Sequence, residues 1–374
     1  MNTDSYESKS ISQIRYYVQT HLGWNKTRSA FLVNFVLALI KVRTVCLTEI
    51  ATAFPGKAQI DSKYKTLQRF FRFFEVNFDS FARFLGWLVP LSSEKPWLLT
   101  IDRTNWKFGK ANINIFMLGV AYQGIAFPLL WVPLNKAGNS NTKERIELMK
   151  RFINVFGKNR IQTLTADREF VGHDWFKWLI EEGISFSIRI RHNFKVISSK
   201  GNEVAIKELF KNLRVGETRI LRGLRVICGV ELHIIGTKLR DGSYLIVVTN
   251  THPEIALDDY KKRLEIETLF GCLKSRGFDF ESTHITAPDK IMKLIALLAV
   301  AFCWCHLTGE WKSRRKPIKA KRHGRKAMSL FRYGLDALRE ALFNSSYKAN
   351  DFKELCGLLI APLRTRAGFT SALG

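Results

Sequence analysis

The sequence is short of acidic residues, and this shortage narrows the possible partners of the protein. Asp and Glu together number 33 against 59 Lys and Arg, which leaves a net charge of +26 at pH 7. An excess of this size is large for a soluble enzyme. It indicates a polyanionic partner, either nucleic acid or an anionic membrane surface.

Long apolar runs are also lacking, which argues against a membrane protein. The longest run, residues 294–305, has 12 residues and lies between Lys293 and His306. A membrane-spanning helix needs about 20 apolar residues, so this run predicts a buried helix, at about 290–307. The first four residues are polar, and we expect neither a signal peptide nor a membrane partner.

The six cysteines also lack the paired CxxC spacing of common zinc motifs, and they do not form the pattern of a disulfide framework. The eight histidines show no metal-ligand spacing either. We therefore expect a cytoplasmic protein whose cysteines are reduced and mostly in the core. They are Cys46, Cys228, Cys272, Cys303, Cys305 and Cys356.

A chain of 374 residues with 46% hydrophobic residues is long enough for two or three globular domains. Residues 1–94 have helical patterning throughout. A short helix at 47–51, a turn at Pro55-Gly56 and a basic helix at about 62–74 resemble a helix-turn-helix, although any two adjacent helices can look similar. The predicted DNA contacts in the basic helix are Lys63, Lys65, Arg69 and Arg72.

From residue 95 the pattern changes to alternating strands and helices, and two of the strands are predicted to end at an aspartate. Asp102 follows the strand at 96–101, and Asp167 follows the strand at 160–166. The order is three strands, a helix, a strand, a helix and a strand, which is the order of a ribonuclease-H-like fold. The remaining elements are strands at 113–122 and 125–134, joined by a hairpin turn at Gln123-Gly124, and a strand at 184–191. The helices are one capped by Asn141 with Glu144, which runs to about residue 156, and one at about 173–182.

The predicted fold class is therefore α/β, with a ribonuclease-H-like mixed sheet flanked by helices. Residues 95–191 and 254–311 form its core, residues 192–253 a β-rich insertion with one short helix near 204–213, and residues 1–94 the helical N-terminal domain. Residues 312–374 form a basic helical C-terminal region.

In that region, nine of the fifteen residues at 312–326 are Lys or Arg. This run predicts contact with a DNA backbone at Arg314 and Arg315, although charge runs are often simply solvated. After a helix at 328–343 the tail is expected to be loose.

One predicted helix, residues 259–274, collects polar groups on a narrow stripe. At 100° per residue, Arg263, Glu267 and Lys274 all fall within about 60° of Tyr260. They lie beside the apolar face, whereas Glu265 points away and is expected to take no part in a site. The alternative is a solvated face with ion pairs between residues four apart.

Asp102, Asp167 and Glu267 provide three carboxylates able to converge on one site, although either aspartate alone is more simply a turn or cap residue. Carboxylate oxygens suit Mg²⁺ or Mn²⁺. Two such ions about 4 Å apart activate the attacking oxygen and stabilise the leaving oxygen in phosphoryl transfer.

These residues resemble the DDE transposases of the insertion sequence 4 family. The two aspartates are followed by Tyr260-x2-Arg263-x3-Glu267-x6-Lys274, which matches that family's tyrosine-arginine-glutamate-lysine signature in all four positions. The resemblance covers about residues 97–310. The 100 residues between Asp167 and Glu267 also fit, because the family carries a β insertion there.

The resemblance implies a cut-and-paste transposase with Asp102, Asp167 and Glu267 as catalytic residues and ligands of two Mg²⁺ ions. The phosphates of double-stranded transposon-end DNA would be bound by Tyr260, Arg263 and Lys274. The protein would act as a homodimer in a synaptic complex. Family members that form a DNA hairpin stack a flipped base on a tryptophan of the insertion. No Trp lies between Trp178 and Trp304 here, which counts against the hairpin route.

Two rival functions stay open on the sequence. One is a ribonuclease-H-like nuclease without strand transfer. The other is an inactive transposase that only binds DNA.

Overall fold

The structure, a computed structural model, describes residues 3–91, 95–198, 201–322, 324–344 and 348–360, with only the backbone of residues 3–8. Among these residues it contains twelve α-helices. They are α1 (Thr3–Leu22), α2 (Lys26–Val42), α3 (Leu47–Ala53), α4 (Ile60–Phe73), α5 (Phe78–Leu88), α6 (Thr142–Phe156), α7 (His173–Glu181), α8 (Ala256–Lys261), α9 (Leu264–Leu273), α10 (Pro288–Arg315), α11 (Leu330–Phe343) and α12 (Ala349–Ile360).

The described residues also contain eleven strands. They are β1 (Trp97–Phe108), β2 (Ala111–Tyr122), β3 (Ile125–Pro133), β4 (Ile161–Ala166), β5 (Phe186–Ile190), β6 (Lys195–Ile197), β7 (Glu203–Ala205), β8 (Thr218–Ile220), β9 (Arg225–Ile227), β10 (Val230–Lys238) and β11 (Tyr244–Thr249).

The chain divides into two compact units. The first, which is mainly helical, lies within Met1–Ser93, Trp106–Ile113 and Phe270–Gly374. The second lies within Glu94–Asn105 and Asn114–Leu269 and contains the sheet. Each unit has its own apolar core.

Helix α10 is the central element of the helical unit. By length and composition it could cross a membrane, but 94% of its most apolar stretch is buried inside the protein. It packs against α2, α5, α11 and α12, and its last turn carries Lys312, Arg314 and Arg315. The prediction of a buried helix is confirmed, and the helix is longer at both ends than predicted.

Helices α3 and α4 form the predicted short helix and basic helix. The apolar side of α4 is buried through Leu67, Phe70 and Phe71, and the Phe70 ring stacks on Phe31 of α2 with centroids 4.1 Å apart. The opposite side of α4 is exposed and carries Lys65, Arg69 and Arg72, whereas Lys63 is partly buried. Such a pair of faces fixes the helix on the core while leaving one surface for a partner.

The second unit is built on a nine-stranded sheet in the order β3-β2-β1-β4-β5-β11-β10-β8, with β9 also paired to β10. Strand β1 runs parallel to β4 and β4 runs parallel to β5, while β2 and β3 are antiparallel. This mixed arrangement, with helices α6 to α8 packed on it, is the ribonuclease-H-like fold that the sequence predicts. Strands β8, β10 and β11 continue the same sheet, because β11 pairs with β5.

Three details differ from the predictions. Strand β1 continues to Phe108 and does not end at Asp102. The short helix expected within the insertion is a 3-10 turn at Ile206–Phe210. The tail, expected to be loose, contains α12, which packs against α1; residues 361–374 lie outside the described part of the chain.

The predicted helix at 259–274 is two helices, α8 and α9, separated by a tight turn. The Arg263 amide donates to the Tyr260 carbonyl (2.9 Å), and the Glu265 amide donates to the Lys262 carbonyl (3.0 Å). Bonds of this i to i+3 type are tighter than those of an α-helix. The angles calculated for one continuous helix are therefore wrong across the turn.

Helices α10 and α11 cross with their backbones in contact at two glycines, Gly309 and Gly334. A Cβ at Gly334 would lie 1.8 Å from the Cys305 carbonyl oxygen. Since backbone cannot move aside cheaply, Gly334→Ala is expected to lower the free energy of unfolding by about 3 kcal/mol in urea titrations followed by circular dichroism.

The matched control is Gly271→Ala in α9. A Cβ there would meet only the flexible side chain of Arg276, at 3.1 Å, and a change within about 1 kcal/mol is expected. Equal losses in the two variants would contradict the close crossing.

Candidate active site

Asp102 lies where the parallel pairing of β1 ends. The register of β1 with β4 is recorded up to Thr100 opposite Thr165, so Asp102 follows the carboxyl end of this ladder although its own strand continues. The backbone amide of Arg103 donates to Asp102 Oδ1 (2.8 Å). Burial raises the pKa of Asp102 to about 7, against the opposing effects of this hydrogen bond and of the Arg263 charge.

Asp167 directly follows β4, as predicted. Tyr260 Oη donates a hydrogen bond to Asp167 Oδ1 (3.1 Å), and Nη1 of Arg189 lies 3.8 Å from the same oxygen. Arg189 is on the neighbouring parallel strand β5. Asp167 is therefore held by a phenol from α8 and lies beside a cation from the sheet.

Arg263 joins the other two carboxylates. Its Nη1 donates to Asp102 Oδ2 (3.1 Å) and its Nη2 donates to Glu267 Oε1 (2.6 Å). The Arg263 side chain is only 6% exposed, whereas that of Asp102 is 16% and that of Glu267 is 53% exposed. One buried guanidinium thus links a partly buried carboxylate to a carboxylate that faces solvent.

The turn between α8 and α9 explains this arrangement. It follows Tyr260 and contains Arg263, whose guanidinium carbon lies 5.8 Å from the centroid of the Tyr260 ring. The structure therefore brings together Asp102, Asp167 and Glu267 through Tyr260 and Arg263. A connected series of hydrogen bonds and one cation–π contact links all five side chains.

A second set of contacts braces the strand ends around the site. Arg103 donates from Nε and Nη2 to the two oxygens of Glu169 (2.9 and 3.1 Å). Arg145, which is buried, donates to the Glu169 carbonyl (2.8 Å). Neither Arg189 nor Arg145 was predicted from the sequence. For Arg189 a signal was present, because it is a charged residue within the apolar strand Phe186–Ile190.

The other predicted DNA contacts lie in the helical unit. Lys274 pairs with Glu281 (2.7 Å) and lies 5.5 Å from the centre of the Trp106 ring. Arg315 pairs with Glu354 (2.6 Å), and Arg314 lies beside it in α10. On α4 no carboxylate partner is found within the described ranges for Lys63, Lys65, Arg69 or Arg72, which leaves their charges available.

The carboxylates match a hard divalent cation in chemistry, but a guanidinium lies between two of them. Arg263 supplies the positive charge beside Asp102 and Glu267. In the part of the chain that the structure describes, no three His, Cys, Asp or Glu side chains are close enough to hold a metal ion. The chemistry of the donors therefore suits such a cation, but in this structure Arg263 occupies the position between Asp102 and Glu267.

Glu265 has a structural role that the angular argument did not predict. Its Oε1 accepts a hydrogen bond from the Gly124 amide (3.0 Å), in the turn between β2 and β3. Both turn residues have positive φ, 48° at Gln123 and 91° at Gly124, which fits the predicted hairpin turn. Burial raises the pKa of Glu265, and the amide hydrogen bonds act against this rise.

We predict that Glu265→Ala lowers the free energy of unfolding by about 1–2 kcal/mol, because the Gly124 amide loses its acceptor. Glu265→Gln keeps an acceptor and should cost less. Urea titration measures both. The control is Glu147→Ala on α6, whose side chain is 64% exposed beside Lys143; a loss as large as that of Glu265→Ala would rule out the capping role.

We also predict a pH-dependent cost of Arg263→Gln. The substitution leaves Asp102 and Glu267 without their shared counter-charge, so the melting temperature should fall at pH 8. At pH 5 the drop should be smaller, because Asp102, with its pKa near 7, is then protonated. Thermal melts with a chelator test this, and a drop that is the same at both pH values would contradict it.

Comparisons with known proteins place the chain in a family. No curated protein sequence matches it. A cryo-EM structure of a piggyBac transposase synaptic complex with hairpin DNA is similar over 93% of this chain and 82% of that chain, with 13% identity and a TM-score of 0.44. Residues 93–304, which include Asp102, Asp167 and Glu267, match the transposase DDE domain family. The chain therefore belongs to the family of proteins with a transposase DDE domain.

Proposed function

We propose that the chain is a cut-and-paste transposase of a bacterial insertion sequence, of the insertion sequence 4 family. It would hydrolyse phosphodiester bonds at the inverted repeats of the element and join the freed 3′-OH to target DNA. The observation that carries the proposal is the linked set of Asp102, Asp167 and Glu267, bridged by Tyr260 and Arg263. The tyrosine-arginine-glutamate-lysine spacing supports the assignment to this family.

Asp102, Asp167 and Glu267 are the proposed ligands of two Mg²⁺ ions, for which Mn²⁺ could substitute. When bound, such ions activate the attacking oxygen and stabilise the leaving oxygen. The protein contributes two aspartates at the end of the parallel β1–β4 pairing and one glutamate on α9. Asp102 must be deprotonated to serve, and because burial raises its pKa to about 7, a nearby cation favours that form.

Tyr260, Arg263 and Lys274 are the proposed phosphate-binding residues of the transposon end. An arginine that leaves Asp102 or Glu267 has a planar fork of donors free for two phosphate oxygens. The basic residues of α4, together with Arg314 and Arg315, would contact the DNA backbone further from the cleavage site. The α4 residues are Lys63, Lys65, Arg69 and Arg72.

The functional regions follow the predicted boundaries in this proposal. Residues 1–94 bind double-stranded DNA, residues 95–191 and 254–311 carry the chemistry, and residues 192–253 are the insertion. The basic residues 312–374 add backbone contacts. Two copies would synapse the two ends as a homodimer in the cytoplasm.

We predict that Asp102→Asn, Asp167→Asn and Glu267→Gln each lower Mg²⁺-dependent cleavage of inverted-repeat DNA by about 10³-fold or more. Each change removes one negative ligand while keeping nearly the same shape. Binding of the uncleaved end should change only a few-fold, because none of the three supplies a positive charge. Denaturing gels measure cleavage, and gel shifts in a chelator measure binding.

Glu147→Gln on α6 is the control, because it removes one exposed carboxylate outside the site. Full cleavage by any of the three site variants would refute the ligand assignment. The rival functions give different products. A plain nuclease would cut without joining the 3′ end to a target plasmid, and an inactive transposase would bind without cutting.

A further inference from the structure

A cleft of about 560 Å³ in the helical unit is not used by the proposed chemistry. It is formed by α3, α4, the segment at 283–287 and the first turn of α10. This volume lies within the usual 300–1,000 Å³ of sites for small ligands. It is far too small for a DNA duplex and is suitable for a single nucleotide.

The walls of the cleft are fixed to each other. The hydroxyls of Thr44 and Ser282 lie 2.9 Å apart, which ties the chain before α3 to the chain before 283–287. The Lys293 ammonium of α10 donates to the Phe71 carbonyl of α4 (2.9 Å). Hydrogen bonds between the segments that form its walls therefore hold the shape of the cleft.

The lining is cationic, with aromatic and amide groups. Tyr64, Gln68 and Arg72 stand four residues apart on the same side of α4, and Lys290 faces the cleft from α10. None of the residues described along its wall is acidic. Neither Arg72 nor Lys290 has a carboxylate partner within the described ranges, so both charges are available to an anion.

Aromatic surface is also available to a base. Tyr64 is half-buried, and no ring of the described residues stacks on it. At the rim, His284 stacks on Phe108 with centroids 4.9 Å apart. A phosphate beside two cations, a planar group on a tyrosine and hydrogen bonds from a glutamine are the contacts that a nucleotide makes.

We propose that this cleft binds one unstacked nucleotide of DNA, with its base on Tyr64 and Gln68 and its phosphate at Arg72 and Lys290. The inference rests on DNA being the substrate, as proposed above, and does not depend on the catalytic carboxylates. DNA fits better than a free nucleotide because α4 also carries Lys65 and Arg69 on its exposed side, outside the cleft, where the neighbouring phosphates of a strand would lie.

The test uses the full chain in a chelator and a short single-stranded oligonucleotide with one central 2-aminopurine. Stacking on Tyr64 should quench the 2-aminopurine fluorescence. Tyr64→Phe keeps an aromatic ring and should retain the quenching, whereas Tyr64→Leu should lose it and weaken binding about tenfold. Arg72→Gln and Lys290→Gln should each weaken binding and reduce its salt dependence by about one phosphate contact.

Lys65→Gln is the matched comparison, because it removes the same charge from α4 outside the cleft. It should reduce affinity for duplex DNA but leave the quenching of the bound oligonucleotide unchanged. Should Tyr64→Leu fail to fold by circular dichroism, Gln68→Ala, an exposed position, replaces it and should also reduce quenching.

Unchanged quenching in Tyr64→Leu or Gln68→Ala, or loss of quenching in Lys65→Gln, would overturn the proposal. Free 2-aminopurine deoxyribonucleoside 5′-monophosphate should bind at least about tenfold more weakly than the oligonucleotide. Equal affinity would identify a site for soluble nucleotides instead. Because no metal is present, a failure here is distinguishable from a failure of Mg²⁺-dependent cleavage, which is measured separately.

Discussion

The candidate active site depends on one buried guanidinium. Arg263 donates to both Asp102 and Glu267 and lies beside the ring of Tyr260, which in turn binds Asp167. Without a cation at this point, a carboxylate as buried as Asp102 would be costly to keep charged. The position of Arg263 is set by the tight turn between α8 and α9, so a local break in helical geometry makes the cluster possible.

The sheet supplies the other half of the site. Parallel strands β1, β4 and β5 run side by side, which brings Asp102, Asp167 and Arg189 close to one edge. Strand β1 continues beyond Asp102 into the hairpin with β2, and Glu265 holds the next turn of that meander through Gly124. Residues beside Glu267 in sequence thus stabilise the sheet on which its partner Asp102 lies.

The sequence was sufficient for the fold because its signals are local and strong. An apolar run predicted α10, which is longer at both ends than expected. The Asn141 cap with Glu144 predicted α6, and the Gln123-Gly124 turn predicted the β2–β3 hairpin, both at nearly their observed positions. The turn at Lys262–Arg263 was not predictable in this way. No Gly or Pro lies at this turn. The break in the helix is stabilised by contacts with residues distant in sequence, such as the hydrogen bond from Arg263 to Asp102.

The same limitation explains the roles of individual charges. Periodicity places Glu265 and Glu267 on different sides of a helix. It does not reveal that Glu265 accepts a hydrogen bond from the Gly124 amide or that Glu267 accepts one from the Arg263 guanidinium. Arg189 was missed because its carboxylate partner is 22 residues away in sequence. Long-range pairs between charges are set by the tertiary fold, which no window of sequence contains.

The charge balance of the site links the two ligands that the proposed function requires. The protein carries +26 overall, yet around Asp102 and Glu267 the only cation in direct contact among the described residues is Arg263. A phosphate that draws Arg263 away leaves two carboxylates in need of a cation, and a divalent cation at those carboxylates frees Arg263 for a phosphate. Under the proposed function each ligand would therefore favour the binding of the other, and such coupling is reciprocal by thermodynamic necessity. The two ion pairs of Arg263 would then serve both to stabilise the DNA-free fold and to make metal and DNA binding interdependent.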